Sequence, residues 1–189
     1  DASPILFPVE ERRVAWEQAD PALRYIRTAS HKAIVRTDKA GSPMLLNIVG
    51  SGYKIVHNSE LFTAVEDAML NEMLPEHFVG LKVTDRVAGW GRMCFRDYTF
   101  PAIKCRVTHG NSEIGFRILV QNGYGGSALR IHSGAIDFYC MNGMIHGEFI
   151  STYRRHTAGV TIGNLSNAVQ TALLQFAAQQ DVWHTWVKK

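Results

Sequence analysis

The sequence predicts one α+β domain covering residues 1–189, and three observations carry that expectation. From residue 79 to 140 apolar and polar residues alternate with the period of a strand. Two segments, one beginning near Ser59 and one near Asn164, repeat apolar residues at the spacing of a helix. No repeat, low-complexity tract or linker divides the 189 residues, a length that suits a single core.

Taken in order, residues 23–28 and 31–37 read as short strands, residues 38–43 as a turn and residues 44–49 as a third apolar strand. Gly50-Ser51-Gly52 breaks the chain before a brief extended piece over residues 53–57. Ser59 is the expected N-cap of the first helix, and Glu60 complements its dipole. Leu61, Phe62, Val65, Ala68 and Met69 form its apolar stripe, and Pro75 stops it.

The period then changes to two. Leu81, Val83, Asp85 and Val87 alternate with Lys82, Thr84 and Arg86; Ile103, Cys105 and Val107 alternate with Lys104, Arg106 and Thr108. Phe116, Ile118 and Val120 alternate with Arg117, Leu119 and Gln121. Such strands pack one face on helices and leave the other to solvent or ligand. Residues 108–112 and 122–127 read as hairpin connections, residues 141–147 as a turn and residues 153–159 as a polar loop. The last helix is expected to end near Trp186, with Leu165, Val169, Leu173, Phe176 and Trp183 on one face.

The net charge of +3 hides a segregation. Residues 59–76 hold five acids and no Lys or Arg, whereas residues 79–131 hold eight bases against three acids. A local excess of that kind points to an anionic partner. No apolar run approaches the ~18 residues of a membrane span, and no signal peptide is visible at the start. Cys94, Cys105 and Cys140 fall in no paired motif, which suits buried, reduced thiols and a cytoplasmic setting without membrane association.

Catalytic signatures are missing from the sequence. It contains no Gly-x-Ser-x-Gly elbow, no Cys-x-x-Cys and no His-Glu-x-x-His, so no catalytic residue, metal site or cofactor is expected. The glycine-rich stretch at residues 122–127 joins two strands and lacks Gly-Lys-Ser/Thr, so it reads as a turn before it reads as a phosphate cradle.

The remaining candidate is a basic ridge. An extended chain over residues 90–100 would place Trp90, Arg92, Cys94, Arg96, Tyr98 and Phe100 on one side. Lys82, Arg86, Lys104, Arg106, Arg117 and Arg130 would add charge from neighbouring strands, and Arg154, Arg155 and His156 from a loop. Cations beside rings hold phosphates while the rings stack on bases. The expected nucleic-acid contacts are therefore Lys82, Arg86, Arg92, Arg96, Lys104, Arg106, Arg117, Arg130, Arg154 and Arg155, with Trp90 and Tyr98 as stacking groups.

Several of these stretches resemble a family. The run from Arg117 through Gln121-Asn122-Gly123-Tyr124-Gly125-Gly126-Ser127 to Arg130, then Gly134-Ala135-Ile136 and Cys140-Met141-Asn142-Gly143-Met144-Ile145, is similar to a phage and plasmid family of unknown function that includes the prophage proteins YafZ and YfjQ. Gly52-Tyr53-Lys54-Ile55-Val56-His57-Asn58 resembles that family's entry to a helix, and Arg155-His156-Thr157 resembles its Arg-His-Thr/Ser loop. The likeness spans about residues 45–160.

That family in turn resembles the single-strand annealing recombinases (the RecT, Redβ and Rad-fifty-two group), and the resemblance implies a curved, mostly antiparallel sheet with a helix packed across it. It also implies a homo-oligomeric ring or helical filament that anneals single-stranded DNA without ATP. The rival expectation is a protein-binding module, such as a phage-encoded inhibitor or anti-restriction factor, working through Glu66, Asp67 and Glu72. A nuclease is the weakest reading, because Asp85, Asp97, Asp137 and Glu148 show no converging spacing.

Overall fold

Alternating apolar residues become antiparallel strands wherever one face finds a helix to pack on, and that rule organises the computed structural model of the chain. It describes residues 3–17, 25–38, 40–106, 113–137, 145–157 and 165–186. Strands β1 (Val9–Glu17), β2 (Tyr25–Thr37) and β3 (Pro43–Gly50) form a three-stranded sheet in that order. Strands β4 (Lys82–Ala88), β5 (Met93–Arg106), β6 (Glu113–Gly123), β7 (Leu129–Asp137) and β8 (Ile145–Arg154) form a five-stranded meander. Helix α1 (Asn58–Glu72) links the sheets and α2 (Leu165–Trp186) follows β8. The architecture is α+β, with every strand pairing among the described residues antiparallel.

The two strands expected at residues 23–37 are one, because a register shift at Arg13/Val14 lets β2 continue through Ala29 and Ser30. Residues 107–112 and 138–144, which include Cys140, the first expected turn and most of the second, lie outside the described residues, as do the side chains of Cys105, Leu165 and Trp183; residues 145–147, expected to close the second turn, instead open β8.

One face of the five-stranded sheet carries the core. Cys94, Tyr98 and Phe100 of β5, Phe116, Ile118 and Val120 of β6, and Leu129 and Ile131 of β7 are buried there. Leu61, Phe62, Val65, Ala68 and Met69 of α1 and Val169, Ala172 and Phe176 of α2 belong to the same core. Phe116 meets Phe176 edge-on at 5.2 Å, a geometry favoured by the ring quadrupoles, and Phe100 in a tilted arrangement at 5.6 Å. Ile34, Leu46 and Val49 bring the smaller sheet to the same core.

Helix α1 starts one residue before the expected cap. Ser59 lies inside the helix and His57 sits at the N-cap without a side-chain hydrogen bond. The reason is tertiary: the Tyr124 hydroxyl accepts the Asn58 backbone N–H at 3.0 Å, satisfying a helix-start donor that a capping side chain otherwise takes. The Asn58 side chain donates to the Ile5 carbonyl and accepts from Asn122 Nδ2, which also donates to the Val56 carbonyl. This buried polar network fixes the helix start against the end of β6.

Candidate nucleic-acid interface

Which parity of β5 faces the helices decides the fate of the expected ridge. The chain does not run extended from Trp90. Gly89, Trp90 and Gly91 form a tight turn with positive φ at all three, and β5 begins only at Met93. A side chain at Gly91 would bring its Cβ within 2.8 Å of the Phe7 ring, so glycine is required there. Arg92 is exposed beside this turn, where its carbonyl accepts the N–H groups of Tyr124 and Gly125. Those two amides of the glycine-rich stretch are thereby committed to the turn.

Past the turn, the even-numbered residues point inward. Tyr98 is buried, not available for stacking, and its hydroxyl donates to Glu66 at 2.8 Å. Burial first, and then the Glu66 charge, hold the phenol proton in place. Arg96, with a side chain 13% exposed, donates to both oxygens of Asp85 at 2.8 and 2.9 Å and to Glu66 at 2.9 Å. Its guanidinium lies 4.8 Å over the Phe62 ring. Burial alone would raise the Asp85 pKa, but hydrogen bonds from Arg96 and Ser3 and the Arg96 charge hold it below the ordinary carboxylate value. Arg96 and Tyr98 are thus corrected from strand-surface contacts to parts of an internal charge cluster. Glu66 belongs to that cluster as well, although its side chain stays 43% exposed on α1.

The opposite face tells a different story. Among the described residues both helices pack on the inner face, and the outer face carries in register most of the remaining cations. Lys82, Arg86 and Arg130 are exposed there. A register shift between Phe100 and Lys104 brings Lys104 and Arg106 into line opposite Gly115 and Glu113, on the side of Arg117. The side chain of Arg106 lies outside the described residues. Arg117 is buried on this face and pairs with Asp97 through two hydrogen bonds, while Lys104 pairs with Glu113 at 2.8 Å. Arg117 is therefore corrected from a phosphate contact to a neutralised pair.

One row crosses the whole sheet. Arg86 stands opposite Phe95, Phe95 opposite Gln121, Gln121 opposite Arg130, and Arg130 opposite Tyr153. The guanidiniums of Arg86 and Arg130 lie 5.8 and 5.6 Å from the Phe95 and Tyr153 ring centroids. Arg86 also approaches Asp97 at 3.7 Å, while Arg130 and Lys82 have no carboxylate partner among the described residues. Arg155 reaches the Tyr153 hydroxyl at 3.4 Å and extends the row at its far end, and Arg154 bonds the Tyr153 carbonyl. Phe95 and Tyr153 escaped the sequence reading. Carrying the Arg117/Leu119/Gln121 parity across to β5 points to Phe95, because Gln121 and Phe95 are paired.

Residues 53–54, 123 and 156–157, from three of the stretches singled out in sequence, meet in space. The Tyr53 hydroxyl donates to the Gly123 carbonyl at 3.0 Å, Tyr53 bridges to Thr157, and its ring stacks on His156 at 4.9 Å. His156 is buried and donates from Nδ1 to the Lys54 carbonyl at 3.1 Å. Burial, partly offset by that bond, lowers its pKa from the ordinary 6.5, so it adds no charge to the loop, contrary to the expectation. Because the folded state resists this protonation, stability is complete above about 6.5 and is lost as pH falls through the lowered folded value. The thermal midpoint is expected to fall between pH 7.5 and 5, and by less in His156→Gln; equal falls in the two proteins would contradict the assignment.

Fold and face together define an α+β protein with an antiparallel sheet, helix-covered on one side and studded with cations and rings on the other. No family model, curated protein or solved structure matches the chain. Among the described residues no helix is long and apolar enough to cross a membrane, and no group of three or more His, Cys, Asp or Glu is placed to hold a metal ion.

Proposed function

We propose that the chain binds single-stranded DNA across the open face of the five-stranded sheet and promotes annealing of complementary strands without ATP or any cofactor. The observation that carries this reading is the row Arg86, Phe95, Gln121, Arg130 and Tyr153. At the ~4.8 Å spacing of strands it spans roughly 19 Å. Rings in such a row take base faces irrespective of sequence, and the arginines beside them take phosphates. Described cations on this face number five (Lys82, Arg86, Lys104, Arg117, Arg130) against the acids Asp97 and Glu113, which supports an anionic ligand.

Annealing follows from holding a strand chiefly by its backbone, which leaves base edges free for a complement. The resemblance to the phage and plasmid family supports the same reading, together with assembly of copies into a ring or helical filament in the cytoplasm. A paired-oligonucleotide assay tests it: the protein alone should accelerate annealing of complementary strands, and Arg86→Glu with Arg130→Glu should abolish the acceleration. Failure to accelerate at any protein concentration would overturn annealing, and failure to bind either strand would overturn the whole proposal.

A further inference from the structure

Strand β4 ends the five-stranded sheet, and among the described residues no strand pairs with its outer side. A free edge presents unpaired N–H and C=O groups and recruits another strand unless it is blocked. This edge also concentrates exposed apolar side chains. Val79 (67% exposed), Val83 (49%), Val87 (37%) and Trp90 (77%) fall within twelve residues. Trp90 is held in a left-handed conformation that L side chains rarely adopt.

We propose that β4 pairs with β4 of a second copy of this chain, antiparallel, about a two-fold axis at Asp85. The sequence of the strand selects the partner and the register. An antiparallel pair about an axis normal to the sheet sets each residue opposite one of the same face, so only alternate registers are open. Centred on Asp85, Val83 faces Val87, Thr84 faces Arg86 and Lys82 faces Ala88, with all seven residues of the strand overlapping. Centred on Thr84, Lys82 would face Arg86 and Val83 would face Asp85; centred on Arg86, that arginine would face itself and Asp85 would face Val87. Like charges directly opposed destabilise a sheet, and apolar cross-strand pairs stabilise it. The like pair left in the favoured register is Asp85 with itself, and each Asp85 is already gripped by its own Arg96 through two hydrogen bonds.

Two consequences follow from the symmetry. The end of one strand, with Trp90, comes alongside the start of the other, with Val79, so the exposed apolar groups beyond the strand cover one another. The two open faces lie on the same side of one continuous ten-stranded sheet, and the Lys82 and Arg86 columns of both copies meet at its centre. This joint does not depend on what the open face binds.

Sedimentation of the full chain without nucleic acid, up to about 100 μM, should show a monomer–dimer equilibrium. Val83→Lys with Val87→Lys, both at exposed positions, should leave the circular dichroism spectrum intact and yield monomer throughout. In an oxidised mixture of Val83→Cys and Val87→Cys chains, peptide mapping should find the 83–87 linkage between copies. A wild-type monomer over the whole range would overturn the proposal. So would a dimer unaffected by the lysines, larger assemblies with no dimer unit, or 83–83 linkage in place of 83–87.

Discussion

Arg96→Ala is expected to destabilise the fold by about 1.5–3 kcal/mol, the scale of hydrogen bonds to charged groups in a half-buried cluster. For a domain of this length that lowers the thermal midpoint by roughly 3–12 °C. The guanidinium neutralises Asp85 and Glu66 together, and its removal leaves two carboxylates beside the buried Tyr98 hydroxyl. It also uncovers the Phe62 ring. The same substitution at the exposed Arg130 should change stability by less than about 0.5 kcal/mol. Thermal unfolding followed by circular dichroism makes the comparison. An Arg96→Ala protein as stable as the parent would return Arg96 to the surface and undo the assignment of the inner face.

Phe95→Ala and Tyr153→Ala carry the second large effect, on binding. Each stacked base contributes ~1–3 kcal/mol, so each variant should weaken single-strand affinity by about 5- to 150-fold. Phe95 is half-buried on an open sheet face and Tyr153 is exposed, so neither change removes a core side chain. Fluorescence anisotropy with a labelled oligonucleotide reads the loss directly. Trp90→Ala and Arg92→Ala, at the turn beyond the Ala88–Met93 pair and outside the row, should leave that affinity within a few-fold. A larger loss at Trp90 than at Phe95 would move the interface from the sheet face to the turn.

Period-two patterning in residues 116–121 was enough to place Arg117, Leu119 and Gln121 on one face and Phe116, Ile118 and Val120 on the other, because β6 is central and keeps its alternation. The same reasoning failed at residues 90–100. Alternation says which residues share a face, not which face a helix covers, and α1 takes the side with Arg96 and Tyr98. Arg96 reads as a surface cation in sequence because its acids lie 11 and 30 residues away. The Gly89–Gly91 turn has a non-glycine residue at positive φ, a conformation composition does not announce. Edge strand β4 shows the other limit. Its valines alternate like those of a half-buried strand, yet both stay exposed, while Asp85 between them on the same face is covered by Ser3 and Arg96.

The response of single-strand affinity to salt tests the central claim most directly. With three or four phosphates held per copy, a slope of about −0.7 per phosphate predicts a loss of roughly 20- to 50-fold between ~50 and ~200 mM salt. Arg130→Ala should flatten that slope by about 0.7, whereas Arg117→Lys, inside its pair with Asp97, should leave it unchanged. An affinity indifferent to salt, or a slope indifferent to Arg130, would contradict a strand lying across this face.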